Sequence, residues 1–282
     1  MTLAAPAAVR AGFRRGFIEL RQAFTGAALF GQLLWPIATL VAVYFLRDRT
    51  VGAGGLTLGS VMLPGVLGMF VALGMLLVVQ QLAADREDGT LLRAKATPNG
   101  IPAYLLGKLV QISATVLVYL AILLIPGVFL VDGLTVDSWR SWLTFAWVLL
   151  LGLVATQTVG AMLGSLISSP RGAGYLSLPV IGLIAISGIF APITALPAWL
   201  QSIAQVFPIY WLGLGMRSAF LPDEAAVIEI GESWRQLETA AVLGAWAVAG
   251  LVLAPIVLRR MARRESGSSV AKRREKAMRR VG

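Results

Sequence analysis

Long uncharged stretches separated by short charged ones dominate this chain. No Asp, Glu, Lys or Arg occurs at residues 50–84 or 109–131. A transmembrane helix needs about 20 predominantly apolar residues. The pattern therefore predicts an all-α integral membrane protein, with one transmembrane domain over residues 1–258 and a basic tail over 259–282. Six transmembrane spans are predicted, with edges set to within a few residues: 27–46, 60–82, 103–131, 142–167, 175–193 and 239–258.

Composition supports the membrane class and weakens most enzymatic interpretations. The chain is 57% hydrophobic and 13% charged, whereas soluble domains carry roughly 25% charged residues. It has no Cys and no His. Disulfides and Cys-based metal sites are therefore excluded, and the commonest general base and transition-metal ligand is missing. We expect neither a catalytic residue nor a metal site on this chain.

The distribution of Lys and Arg predicts the orientation. Six spans place both termini on the same side of the membrane, and a cytoplasmic location gives the inner segments 19 of the 24 Lys and Arg residues. This asymmetry follows the positive-inside rule. Beside membrane spans, the basic tail indicates attraction to anionic lipid rather than binding to nucleic acid.

The N-terminal segment 8–24 predicts an amphipathic helix. At 100° per residue its apolar side chains share one face and its arginines fill the rest. Such a helix lies in the membrane interface, although an ordinary cytoplasmic helix packed on the protein is the alternative. The shared apolar face comprises Val9, Phe13, Phe17, Leu20 and Phe24.

An uncharged run over residues 172–216 is too long for one span and awkward for two. Because Pro192, Pro197 and Pro208 interrupt it, we expect a short fifth span followed by re-entrant extracellular helices before the last span. A plain seventh span is the alternative, but it would export the basic tail. The candidates for an exit lid over the substrate path are Ser187, Gly188, Phe190, Pro192 and Trp199.

Three polar residues, Thr156, Gln157 and Thr158, fall near the middle of the fourth predicted span. Of these, Gln157 is a candidate for lining a substrate path. The alternative is a hydrogen bond between helices, which is a common role for such a residue.

A charged island at residues 85–98 separates the second and third predicted spans on the cytoplasmic side. Gly89 and Thr90 can turn the chain, and the Thr90 hydroxyl can cap a short helix. Leu91 and Leu92 would supply a small apolar surface, and Thr97-Pro98 would end the helix. The pattern is typical of a segment presented to a partner, whereas a solvated loop without a partner is the alternative.

The island resembles the cytoplasmic loop of type-2 ABC transporter permeases of the drug-resistance exporter group. Members carry Glu-Arg-Glu-x-Gly-Thr-Leu, a basic stretch and then Thr-Pro or Ser-Pro. Here Asp85 replaces the usual Glu, and Ala94 stands where a larger apolar residue is common. Residues 187–200 resemble a second family stretch, and 8–24 resembles the "elbow" helix before the first span.

This resemblance implies a coupling element that seats in a groove of an ABC ATPase subunit. It also implies two ATPase copies, a second permease chain in a homo- or heterodimer, and a multi-pass location in a bacterial plasma membrane. The coupling residues that it implies are Asp85, Arg86, Glu87, Asp88, Gly89, Thr90, Leu91, Leu92, Arg93, Thr97 and Pro98.

No Walker A sequence is present in the chain. The nearest string, from Gly100 to Gly107-Lys108, has the wrong spacing and lacks Ser or Thr after Lys. We therefore expect ATP and Mg²⁺ on the partner ATPase and no cofactor here, with Lys108 snorkelling to the inner interface.

The predicted function is the permease subunit of an ATP-driven exporter of a hydrophobic drug, antibiotic or lipid. An exporter of a polysaccharide or other glycoconjugate is the main alternative. A secondary multidrug carrier would need an ionisable relay within the spans, and an intramembrane enzyme would need a catalytic constellation. No Asp, Glu, Lys, Arg or His lies at the centre of any predicted span.

Overall fold

The computed structural model describes residues 4–51, 56–97, 100–167 and 169–264. Within these ranges the chain is almost entirely helical, and two short strands, β1 (Thr50–Val51) and β2 (Leu56–Thr57), pair antiparallel. The helices are α1 Ala4–Ala23, α2 Ala27–Leu46, α3 Leu58–Glu87, α4 Thr90–Lys95, α5 Gly100–Leu130, α6 Trp139–Leu166, α7 Pro170–Ile186, α8 Ala198–Val206, α9 Pro208–Phe220 and α10 Gln236–Arg264.

Five helices in the described residues, α2, α3, α5, α6 and α10, are long and apolar enough to cross a membrane. The prediction of a helical integral membrane protein is thereby confirmed. The predicted span 175–193 corresponds to α7, which is apolar but only 17 residues long. At 1.5 Å per residue α7 measures about 25 Å, less than the roughly 30 Å hydrocarbon core. A sixth span therefore stays a prediction.

Side-chain caps fix where three of the helices begin. The side chain of Thr57 accepts a hydrogen bond from the Ser60 amide at the start of α3. Ser138 caps α6, and Ser169 caps α7 immediately before Pro170. Each cap satisfies an amide that lacks an intrahelical acceptor, and proline is tolerated at the first helical position because it needs no donor there.

Helix α3 is the centre of the bundle. It is buried along most of its length and packs against α5, α6, α7 and α9. Glycines allow the close approaches. A Cβ at Gly160 of α6 would lie 2.5 Å from the Met75 carbonyl oxygen, and one at Gly68 would lie 2.8 Å from the Gly213 nitrogen of α9. Small residues at such crossings bring helix backbones together and favour dispersion contacts.

Helix α1 lies along the first half of α5. Gly12 and Gly16 form the contact, and a Cβ at Gly16 would lie 2.7 Å from the Gly107 carbonyl oxygen. The aromatic side chains Phe13 and Phe17 remain exposed, at 47% and 61%. The exposed apolar face agrees with the amphipathic pattern, while its position in a membrane interface stays a prediction.

The proline-rich region divides into short elements. A 3₁₀ turn at Ile193–Ala195 follows Pro192, and α8 and α9 start directly after Pro197 and at Pro208. Helix α9 is buried over almost its whole length, whereas α8 buries only Ala204. The two short helices therefore differ in role, because α9 is part of the core and α8 covers its edge.

Candidate functional site

The charged island is partly an extension of α3. Because α3 runs to Glu87, Asp85, Arg86 and Glu87 form its last turn. The chain then reverses at Gly89, whose φ of 78° is left-handed, and enters α4. The Asp88 Oδ1 atom accepts a hydrogen bond of 2.9 Å from the Thr90 amide. The expectation that the Thr90 hydroxyl caps this helix was wrong, because Asp88 supplies the acceptor.

Helix α4 docks on the bundle through one face. Leu91 and Ala94 are 1% and 7% exposed and belong to a buried apolar cluster. Leu91 therefore holds α4 in place and is not an apolar surface for a partner, contrary to the sequence-based expectation. The side chains of this cluster come from α3, α5, α6 and α10: Val78, Leu82, Tyr104, Ile112, Ala161, Ala254, Leu258 and Met261.

Behind α4 lies a buried charge network. Lys108 Nζ lies 3.0 Å from Asp85 Oδ2 and 2.8 Å from Glu19 Oε2. The Tyr104 hydroxyl donates to Asp85 Oδ2 at 2.6 Å. Lys108 thus joins α1, α3 and α5 through ion pairs, and its position at the inner membrane interface stays a prediction. Asp85 likewise faces inward, so it cannot contact a partner directly.

The α1 side of the network is completed by Arg15. Its Nε atom donates to Glu19 Oε1 at 2.7 Å, and its guanidinium lies 4.9 Å from the centre of the Tyr104 ring. Burial raises the pKa of Glu19, but hydrogen bonds and charge from Lys108 and Arg15 outweigh it, so the pKa lies below its ordinary value. Glu19 is therefore a carboxylate at neutral pH.

Arg86 and Lys95 connect the island to two further helices. Arg86 Nη1 donates to the carbonyl oxygens of Ser165 and Ile167 at 3.1 and 2.7 Å, at the C-terminal end of α6. Lys95 Nζ donates to the Arg263 carbonyl in α10. Cations at helix C-termini are favourable because those carbonyls lack intrahelical donors. The island is thus attached to α6 and α10 as well as to α3 and α5.

The remaining island residues form a solvent-facing surface, which we call the α4 surface. Asp88, Arg93 and Thr97 are exposed, while Glu87, Thr90 and Leu92 are half-buried. Pro98 lies outside the described residues. The α4 surface carries acidic and basic side chains, while the opposite face of α4 packs on the bundle. Such a surface suits a polar protein partner.

Gln157 is buried in the bundle, and its Nε2 atom donates to the Ser113 hydroxyl of α5 at 2.8 Å. Of the two roles considered, the structure shows a hydrogen bond between helices. Such a bond satisfies a buried amide that would otherwise be unpaired.

The exit-lid candidates separate into two groups. Ser187 and Gly188 are buried at the end of α7, where the Ser187 hydroxyl donates to the Ile184 carbonyl and Gly188 has a φ of 69°. Phe190 and Trp199 are exposed, and Pro192 precedes the 3₁₀ turn. The five candidates thus differ in exposure, and their role as an exit lid stays a prediction.

Sequence reasoning missed the buried pair Arg217–Glu229. Arg217 Nε lies 2.6 Å from Glu229 Oε1, and both side chains are fully buried. Arg217 Nη1 also donates to the Gly188 carbonyl at 2.9 Å. The six-span topology predicted from the sequence places both residues in the outer segment between the fifth and sixth spans. The available signal was the position of Arg217 within an apolar helix, because a buried cation requires a partner.

An apolar cavity of about 180 Å³ lies among α3, α5, α6 and α10, close to the charge network. Gln81, Lys108 and Thr158 are the polar side chains that line it, and the other lining residues are apolar. A cavity of this volume accommodates a small apolar group, since an engineered apolar cavity of about 150 Å³ binds benzene.

The chain matches a known protein family. Residues 48–256 match the model of a family described as ABC-2 family transporter protein. No curated protein matches the chain. The matched range contains the α4 surface, the Asp85–Lys108 pair and the Arg217–Glu229 pair.

Proposed function

The chain belongs to the ABC-2 family of transporter proteins, and we propose that it is the membrane subunit of an ATP-driven exporter. A separate ABC ATPase, present in two copies, would bind ATP and Mg²⁺. A second permease chain, identical or different, would complete the transport path. The proposal places the protein in a bacterial plasma membrane with both termini in the cytoplasm.

The attachment of α4 carries this proposal. The helix is only six residues long, yet it packs against α3, α5 and α10, and its buried face belongs to an apolar cluster that also includes Ala161 of α6. A force applied to the α4 surface therefore acts on several membrane helices at once. Coupling requires this arrangement, because ATP-driven closure occurs outside the bilayer and must displace helices within it.

The apolar cavity supports a hydrophobic substrate, because its volume of about 180 Å³ accommodates one small apolar group of such a compound. It lies within the bundle near the α4 end and is lined by side chains such as Ile112, Ala161, Leu251 and Ala254. Binding apolar groups there is favourable by roughly 25 cal/mol per Å² removed from water. We propose a drug, antibiotic or lipid as the exported compound. A polysaccharide, the alternative, would find few hydrogen-bond partners in this cavity.

The coupling proposal is tested by reconstituting the chain with its ATPase. The chain alone should hydrolyse no ATP, and the complex should. Glu87→Ala and Arg93→Ala should each reduce substrate-stimulated hydrolysis at least fivefold while leaving thermal stability unchanged. Arg260→Ala, at an exposed position of α10, is the matched control and should have no effect. Wild-type levels of substrate-stimulated ATP hydrolysis in both variants would contradict a coupling role for the α4 surface.

The substrate proposal has a separate test. Ala161→Leu should fill part of the cavity and reduce stimulation by a hydrophobic compound, with little change in basal hydrolysis by the complex. Ala72→Leu, a buried α3 position that does not line the cavity, controls for general overpacking. Stimulation by an oligosaccharide that is insensitive to Ala161→Leu would favour glycoconjugate export instead.

A further inference from the structure

The apolar cavity beside the charge network lies between two helices, α5 and α10. Each contributes a stripe of side chains with the spacing i, i+3, i+4 and i+7, which places them on one helix face. The stripes are Leu105, Lys108, Leu109 and Ile112 on α5, and Leu251, Ala254, Pro255 and Leu258 on α10. We propose that the gap between α5 and α10 is a lateral portal, through which an apolar chain of a membrane amphiphile enters the cavity. This inference rests on the proposed export function, for which the portal is the route of substrate entry.

Helices α5 and α10 are held by other helices and not by each other. Within the described residues, α5 packs against α1, α2, α3 and α4, and α10 packs against α4, α6 and α9, while any direct contact between α5 and α10 is slight. The α6–α10 seam is closed, because Thr158 leaves no room for a Cβ at Gly250. At the gap itself, Leu251 and Pro255 are exposed and Leu109 is half-buried. These lining side chains can therefore be reached from outside the bundle.

The α4 end of the cavity is closed. Leu91 and Ala94 of α4 are buried in one apolar cluster with Leu82 of α3, which also lines the cavity. The lining residues Val78 and Leu82 precede the end of α3 at Glu87 by roughly 14 and 8 Å, at 1.5 Å per residue. Because one leaflet contributes about 15 Å of hydrocarbon, the gap faces the leaflet on the α4 side. That leaflet is the inner one in the proposed topology.

The size and surroundings of the gap favour a lipid chain over a second copy of the protein. The cavity volume is about 180 Å³, whereas a helix with its side chains is about 10 Å across and cannot enter. The surface of α10 around the gap is apolar, since Val252 and Ile256 are 59% and 60% exposed beside Leu251. Lys108, the charged residue of the lining, is already paired with two carboxylates. An apolar chain can therefore enter while its polar head remains at the membrane surface.

Pro255 gives α10 a place to bend at the gap. Its nitrogen carries no hydrogen, so it cannot donate the helical hydrogen bond to the Leu251 carbonyl. Prolines within helices are common sites of kinks. Helix α4 packs against both α5 and α10, so a displacement of α4 by the ATPase would change the separation of these two helices. The portal is therefore positioned where the proposed coupling motion would widen or narrow it.

The test uses the full chain alone, in phosphatidylcholine nanodiscs that contain a phosphatidylcholine with a photoreactive diazirine in one acyl chain. Peptide mass spectrometry maps the labelled residues. We expect labels at Ile112 and Ala161, inside the cavity, as well as on the exposed helix faces. Leu251→Trp should reduce the interior labelling about fivefold, because a larger side chain at the gap takes the space of the probe. Val252→Trp should label like wild type, since Val252 is as exposed as Leu251 but does not line the cavity.

Three outcomes would overturn the proposal. The first is a wild-type chain without interior label, and the second is equal interior labelling of the two Trp variants. The third is efficient crosslinking between copies through Leu251→Cys, the single thiol in a chain that otherwise has no Cys, because a second copy would then cover the gap.

The portal and the export function fail separately in these measurements, because photolabelling needs no ATPase. Interior labelling of the chain, without substrate-stimulated hydrolysis in the reconstituted complex, would support the portal and contradict export. Stimulated hydrolysis without interior labelling would contradict the portal alone.

Discussion

Arg217 Nε lies 2.6 Å from Glu229 Oε1, and neither side chain has any exposed surface. Because Arg217 also donates to the Gly188 carbonyl, this pair ties the end of α7 and the segment after α9 to the bundle core. The interaction is strong only while both partners are present, since an uncompensated charge in such surroundings is costly.

Removing one member of this pair should be destabilising. Glu229→Leu is expected to lower the free energy of unfolding by about 3–5 kcal/mol, because it leaves Arg217 buried and unpaired. The double variant Arg217→Met with Glu229→Leu should recover most of that loss. Thermal unfolding in detergent measures the stability of the single and the double variant. Glu224→Gln, at an exposed position, should be neutral, and a Glu229→Leu protein as stable as wild type would contradict the structure.

Lys108 should be required for the attachment of α1. Lys108→Met leaves Asp85 and Glu19 facing each other without their shared cation, so we expect a lower unfolding temperature and faster proteolysis within α1. Arg260→Met, at an exposed position of α10, is the control for loss of a cationic side chain. Unchanged proteolysis of α1 in Lys108→Met would show that the contacts at Gly12 and Gly16 are sufficient to keep α1 on α5.

The same network predicts a loss of stability in acid. The folded-state pKa of Glu19 lies below its ordinary value of 4.5, so the ionised carboxylate stabilises the fold above that value. This contribution is lost as pH falls through the lowered pKa. The stability difference between wild type and Glu19→Gln should be constant near neutral pH and shrink below about pH 4.5. A difference that grows on acidification would contradict the assignment.

Replacing Gly89 by a residue with a side chain should lower the stability of the protein. The φ of Gly89, 78°, is left-handed, so Gly89→Ala is expected to destabilise the α3–α4 turn by about 1–2 kcal/mol. It should also weaken ATPase stimulation in the reconstituted complex. Gly89→Asn should lose less, since Asn adopts this conformation more readily. Gly174→Ala, where a Cβ meets no neighbour, is the control, and equal stability of all three variants would refute the turn.

Reporter fusions can test the proposed topology. A fusion after Gly282 should report the cytoplasm, and one inserted at Gly231 should report the outside. Gly231 is exposed and has no neighbour for a Cβ, so an insertion there spares the adjacent Glu229. The 19 inner Lys and Arg residues motivate this orientation. An external C-terminus would require a different number of spans between α6 and α10.

The long apolar helices were predictable because a membrane span needs a continuous run of apolar residues, and α3, α5 and α6 contain such runs. Their ends were less predictable. Polar residues do not stop a helix, so α3 continues through Asp85 and Glu87, where charge alone had indicated a loop. Hydropathy marks where a segment can enter the bilayer but does not locate the last hydrogen-bonded turn.

The charge networks could not be derived from the sequence. Glu19, Asp85 and Lys108 come from three separate helices, and only the packing of α1 and α3 on α5 brings them together. The topology rule also treats each charge as a loop marker, so it cannot distinguish a solvated arginine from buried Arg217. The conformation of Gly89 was easier to predict, because a glycine between a charged turn and a short helix indicates a left-handed residue.

The docking of α1 on α5 has a consequence for biosynthesis. The ribosome completes α1 long before it reaches Gly107 and Lys108, the α5 residues that α1 contacts. During that interval Glu19 has no lysine partner, and the glycine face of α1 has no helix to cover it. Helix α1 must therefore remain undocked until α5 has been made. We expect nascent chains that end before Lys108 to leave α1 undocked and open to quality-control proteases.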